Sequence, residues 1–201
     1  MIRKISALEE RIDMSYTELF GLTKNTTSFI GETNNSWRGA MAIWKIFEKR
    51  YLPKYVPDWA IAIGEPDKDY TRCSSCFSKD MQIIWDLIDS PKLSMSEKII
   101  LGSTFDNAIA TVKNIDKVLA AFREFDGETS LKEQADVIEQ AIKENPEIIA
   151  IGWNQTSVNG DTWATENYSE EADEYEGYNL ETGTRHWFLV EELEKENGES
   201  K

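Results

Sequence analysis

The sequence predicts an α+β fold: a helical N-terminal and central part packed on a C-terminal antiparallel β-sheet. Three observations carry this expectation. Between residues 36 and 145, apolar side chains recur three and four apart, the period of helices with one buried face. After Pro146 that period is lost and a β-rich run begins. Asn159-Gly160 then supplies the strongest short hairpin signal, because both residue types tolerate the positive φ of a type I′ turn. A chain of 201 residues buries roughly 70% of its unfolded surface, so it can hold a core without disulfides or metal. A single domain over residues 1–201 is expected, with 191–201 as a frayed charged tail.

The elements follow in order. Ser15 and Glu18 have the spacing of a capping box, which predicts a short helix from Ser15 to Phe20. The polar stretch TKNTTSFIGETNNS suits a surface loop. Ser36 is placed to cap a helix running to Tyr51, with Trp37, Ala40, Met41, Trp44, Phe47 and Tyr51 on its stripe. Ile43 and Ile46 lie off that stripe, and Pro53 ends the helix. Residues 53–78 carry three prolines and little period, and suit an irregular connection around the apolar piece 59–63. Residues 79–89 are expected to form a helix with Met81, Ile84, Trp85 and Ile88 on one face. Ser94 and Glu97 open another as a second capping box.

Residues 114–126 show a clear stripe, Ile115, Val118, Leu119, Phe122 and Phe125, with Gly127 where a C-terminal cap belongs. Ser130 and Glu133 open a fifth helix with Leu131, Ala135, Ile138, Ala141 and Ile142 inward, and Asn145-Pro146 stops it. The hairpin around Asn159-Gly160 would set Thr156 opposite Trp163 and Trp153 opposite Glu166. Its apolar face, Ile149, Ile151, Trp153 and Ala164, should meet the helices, leaving Trp163 on the outer face. A second strand pair is expected from Tyr175 to Leu180 and from Arg185 to Val190, turning near Gly183.

Charge narrows the partners. There are 37 acidic and 22 basic side chains, a net of −15. That disfavours direct nucleic-acid binding and anionic membranes, because both reward a basic face. The chain contains no apolar run long enough to span a bilayer, and MIRKISALEERIDM lacks the core of a signal peptide. With only Cys73 and Cys76, the chain is no secreted disulfide framework, so a cytoplasmic location is expected. Their C-x-x-C spacing has no second pair to complete a zinc site, and His186 is the single histidine. No metal and no cofactor is expected.

The charge is also uneven. Residues 161–201 hold 13 acids and 3 bases, and so carry −10 of the net −15. The densest part interleaves Glu166, Glu170, Glu171, Asp173, Glu174 and Glu176 with Tyr168, Tyr175 and Tyr178. A solvated acidic loop explains this. So does a docking surface for a basic protein, in which carboxylates steer the encounter and aromatics supply buried area.

No phosphate loop, dinucleotide fingerprint, zinc-protease helix or nucleophile elbow occurs, and no catalytic residue is assigned. His186 is expected to be a sheet side chain. Asp67 with Asp69, or Asp126 with Glu128, lack calcium-loop spacing. The leading expectation is a non-catalytic, inhibitor- or immunity-like binding protein. Its partner-binding candidates are Trp163, Glu166, Tyr168, Glu170, Glu171, Asp173, Glu174 and Tyr175. A small-molecule or glycan site is the alternative, built from Trp153, Asn154 and Thr156 of the polar strand with Asp106 and Asn107 of the GSTFDNA loop. A carboxylate-based enzyme is the third.

Overall fold

The computed structural model describes residues 15–52, 61–64, 82–104, 107–156, 163–169, 174–183 and 186–199. The strands are β1 (Tyr16–Leu22), β2 (Thr27–Asn34), β3 (Ala108–Thr111), β4 (Ala150–Gln155), β5 (Ala164–Ser169), β6 (Glu174–Gly177) and β7 (Trp187–Phe188). The helices are α1 (Ala40–Tyr51), α2 (Gln82–Asp89), α3 (Met95–Gly102), α4 (Ile115–Glu124), α5 (Leu131–Glu144) and α6 (Glu191–Glu199). The class is α+β. The main sheet runs β2-β1-β4-β3-β7, and β5 pairs with β6 in a separate two-stranded sheet. Because β3 and β7 are parallel, the main sheet is mixed rather than antiparallel throughout.

The N-terminal segment is a hairpin, not a helix and loop. Thr17 and Leu19 alternate with Glu18 and Phe20, the period of a strand with two distinct faces. Ser15 does not cap a helix; its Oγ accepts from Asn35 Nδ2 at 2.9 Å. The turn is held by Thr23, whose Oγ1 accepts from the amides of Asn25 and Thr26 at 3.2 and 2.9 Å. In the β1–β2 ladder Leu19 faces Gly31 and Phe20 faces Phe29, so Ile30 is bulged out.

The helices follow their stripes, with three corrections at their ends. α1 starts at Ala40, because Gly39 closes a tight turn onto the Asn34 carbonyl at 3.1 Å. A Cβ at Gly39 would lie 2.8 Å from that same oxygen. The late start shifts the buried stripe to Ala40, Ile43, Trp44 and Phe47, and leaves Trp37 ahead of the helix at 82% exposure. α4 ends at Phe125 in an extended conformation, and Gly127 does not have the positive φ of a left-handed cap. α3 bears the full capping box at Ser94 and Glu97. α5 starts after Ser130 with no side-chain cap; that hydroxyl accepts from Gln134 instead.

β4 is the central strand, and all six of its residues are buried. It pairs with β1 on one side, Trp153 opposite Leu19, and with β3 on the other, Trp153 opposite Ala108. Both edges are therefore taken, and the expected pairing of Trp153 with Glu166 and Thr156 with Trp163 does not form. β5 pairs with β6 instead, Tyr168 opposite Tyr175. The Asn159-Gly160 turn lies outside the described residues. The expected pairing of 175–180 with 185–190 is likewise replaced, because Trp187 and Phe188 join β3. The tail is helical at α6 and buries Leu193.

Side chains divide between the two faces of the sheet. Leu19, Ala108, Ala110, Ile151 and Trp153 belong to one buried cluster with residues of all six described helices. Phe20, Leu22, Ile109 and Ala150 belong to a second, with Trp163 and Tyr178. Ile149, placed with the first face by the sequence, is exposed because it precedes the strand.

Candidate functional site

The sequence-derived candidates are dispersed. Trp153 lies in the first cluster and Trp163 in the second, so the two indoles are on opposite faces and do not line one pocket. Trp163 is 1% exposed and is a core side chain, not an outer-face aromatic. Its local reason is Gly152: the missing side chain on β4 lets the indole lie directly on the strand. Thr156 accepts from the Tyr16 amide at 2.8 Å and closes the end of the β1–β4 ladder. Asn154 and Asn107 are buried. Glu166 and Tyr168 are on β5, and Glu174 and Tyr175 on β6. Asp106, Glu170, Glu171, Asp173 and the pair Cys73–Cys76 lie outside the described residues.

The base of the β5–β6 hairpin is fixed to the β1–β2 turn. The Thr27 hydroxyl donates to the Trp163 carbonyl at 2.9 Å, and Thr27 Oγ1 accepts from the Tyr178 amide at 3.0 Å. A Cβ on Gly177 would stand 2.5 Å from Thr26 Cα, so only glycine permits that approach. The acid-rich stretch between Trp163 and Tyr178 is thus tied down at both ends.

His186 sits at the margin of this second core. Its ring packs edge-on against Phe188 and Tyr178, with centroids 5.0 and 5.3 Å away. Burial lowers its pKa from the ordinary imidazole value, against a weaker upward pull from Glu192. Tyr178 Oη and His186 Nδ1 share a hydrogen bond at 2.7 Å. The arrangement is an aromatic cluster with one titratable member; His186 itself lies one position before β7 and not within the sheet.

Beyond the apolar part of the same face, the strands carry a polar row. Glu32 on β2 stands directly opposite Glu18 on β1, and Glu18 stands directly opposite Asn154 on β4. Asn154 Nδ2 donates to Glu18 Oε2 at 2.8 Å. That contact fixes the amide's orientation, because the flipped amide would turn its oxygen toward a carboxylate. Asn154 Oδ1 is buried and has no hydrogen-bond partner among the described residues. Asn107 lies one position before β3. Glu18 and Glu32 escaped the sequence reading because β1 and β2 were not recognised as strands; a Glu in each of two alternating segments was the available signal.

A separate network, wholly buried, joins the start of α1 to the sheet. Asn35 Nδ2 and the Thr17 hydroxyl both reach Gln155 Oε1, at 3.1 and 2.8 Å, and Gln155 Nε2 donates to the Ser103 carbonyl at 3.0 Å. Its members satisfy one another, which is the behaviour of a structural network. Among the described residues no three His, Cys, Asp or Glu side chains come together as a metal-holding group. Nor is any described helix long and apolar enough to cross a membrane. Compared with known proteins, the chain matches no family model, no curated protein and no solved structure.

Proposed function

We propose that this protein binds a basic protein partner without catalysing a reaction on it, and that its acidic C-terminal fifth is the docking surface. One observation carries the reading: residues 161–201 hold 13 acids against 3 bases. Like charges at this density repel one another, which does not favour folding, and a cationic partner would offset that cost. The anchored base at Thr27 and Gly177 supports the reading, because a docking element held at both ends loses less freedom on binding. Trp163 and Tyr178 are spent on the core. The aromatics left to meet a partner are therefore Tyr168 and Tyr175, which share one register position of the hairpin. Glu166, Glu170, Glu171, Asp173 and Glu174 provide the steering charge.

The test is a quadruple substitution, Glu170→Gln, Glu171→Gln, Asp173→Asn and Glu174→Gln. A partner captured from native lysate is identified, and its association is then followed at low and high salt. Association should slow in the variant, and the difference should shrink once screening over about 8–10 Å weakens steering in the wild type too. Unchanged association at low salt would rule the surface out.

A further inference from the structure

We propose that His186 is a pH-operated latch on the β5–β6 hairpin: the neutral ring holds the two roots of the hairpin in their seat, and the charged imidazolium releases them. Both roots meet this one side chain. Trp163, just ahead of β5, has its ring centroid 6.2 Å from the imidazole. Tyr178, just after β6, lies 5.3 Å away and shares the hydrogen bond with Nδ1. The two root aromatics also meet each other edge to face at 5.1 Å. The three rings form a clasp across the ends of the acid-rich stretch. The imidazole also packs on Phe188 of β7, which ties the clasp to the main sheet.

Two observations make the seat marginal. Among the described strands β5 and β6 pair only with each other, and a two-stranded ribbon alone is marginally stable at best in water. Its placement therefore depends on the root contacts. Trp163 Nε1, moreover, is buried with no hydrogen-bond partner among the described residues. Seating the indole on Gly152 leaves its N–H unsatisfied, a cost that water relieves when the indole lifts out.

Charge on the imidazole works against the seat. Burial disfavours the imidazolium more than Glu192 on α6 favours it. Among the described residues Glu192 is the charged group that acts on the ring, and the Tyr178 phenol is the other titratable group against it. Phe188 on β7 and Trp163 ahead of β5 bring no charge. Lifting the roots returns the imidazole to water, where it takes its proton near pH 6.5. The proton thus favours the open hairpin, and the seat weakens as pH falls from about 6.5 toward the lower value of the seated ring. The acidified protein then loses the anchored geometry of its docking surface, a consequence that rests on the reading given above.

Hydrogen exchange of the full-length, isotope-labelled protein, followed by nuclear magnetic resonance with no partner present, tests the latch separately from the docking reading. The Tyr178 amide, which donates to Thr27 Oγ1, reports on the roots. The Ile151 amide, on a strand paired along both edges, reports on the whole fold. At pH 7.5 Tyr178 should be less protected than Ile151, as an opening of the hairpin alone requires. Between pH 7.5 and 5.5 its protection should fall by up to about tenfold per pH unit. The Trp163 indole N–H signal should move with the same midpoint as the His186 ring. His186→Gln, neutral throughout, should abolish the fall. Glu192→Gln keeps an acceptor for the Phe188 amide but removes the pull toward the imidazolium, and should enlarge the fall. Equal protection of Tyr178 and Ile151 at pH 7.5 would overturn the inference, because the hairpin would then open only with the whole molecule. So would a fall that persists undiminished in His186→Gln, or one that Glu192→Gln makes smaller. The docking reading is untouched by these outcomes and is decided by the quadruple variant.

Discussion

The Trp163 indole lies across Gly152 so closely that a Cβ on the glycine would stand 2.6 Å from Nε1. This contact joins the C-terminal segment to the central strand. Gly152→Ala should therefore displace the indole and destabilise the fold by about 1–3 kcal/mol, the usual cost of overpacking a core. Denaturant unfolding of the variant measures it. A variant as stable as the wild type would mean the indole can move aside freely.

Trp163 and Trp37 should behave in opposite ways. Trp163 is fully buried among Phe20, Leu22 and Tyr178, so Trp163→Ala should cost about 3–5 kcal/mol. Trp37 is exposed, and Trp37→Ala should change stability by no more than about 0.5 kcal/mol. Thermal melts of the two variants side by side check the contrast.

The Ser94–Glu97 box is a local prediction. Ser94 Oγ accepts from the Glu97 amide, and Glu97 Oε2 accepts from the Ser94 amide at 3.0 Å. Ser94→Ala should cost about 1 kcal/mol. Glu97 also accepts from the Tyr51 hydroxyl. Burial pushes the Glu97 carboxyl up, but the hydrogen bonds from Tyr51 and Ser94 outweigh it and leave the pKa below the ordinary value. A depressed carboxylate contributes stability above its unfolded pKa and loses it as pH falls through the folded one. Glu97→Gln should accordingly flatten the acid limb of the stability curve, which melts below about pH 5 would show.

His186 supplies a second pH dependence at higher pH. Its folded pKa lies below the unfolded value, so the unfolded chain binds the proton more readily. The contribution of the neutral ring is present above about pH 6.5 and declines as the pH falls through that value toward the folded pKa. Between about pH 7.5 and 5.5, wild-type protein should lose more stability than His186→Gln. Equal losses would show that the ring is solvated in both charge states. Tyr178→Phe, which removes the hydroxyl hydrogen-bonded to Nδ1, should destabilise by about 1 kcal/mol at neutral pH.

The parts legible in the sequence are those whose causes are local. α4 and α5 announce themselves by the spacing of Ile115, Val118, Leu119 and Phe122, and of Leu131, Ala135 and Ile138, and these residues are buried as that spacing requires. The Ser94–Glu97 box works for the same reason: all its atoms lie within one helical turn. The candidate site was less legible. Asn154 could be singled out as a polar residue in a β-rich run, but its partner Glu18 is 136 residues away.

Local signals failed where two long-range outcomes shared one pattern. Ser15 and Glu18 have capping-box spacing in a helix, yet the same residues fit a strand, and the ladder to Gln155 and Asn154 decides for the strand. The Asn159-Gly160 signal specifies a turn but cannot specify that β4 is already paired on both edges, to β1 and β3. The sequence by itself determined the α+β class, the amphipathic helices α4 and α5, the box that opens α3, and the concentration of negative charge in the last fifth of the chain. Only the tertiary structure decided that the sheet is covered on both faces, that Trp163 turns inward onto Gly152, and that Glu32, Glu18 and Asn154 fall in one row. Periodicity and capping arise from neighbours along the chain, whereas a strand's partners and its second face are set by other segments, as far along the chain as Glu18 is from Asn154.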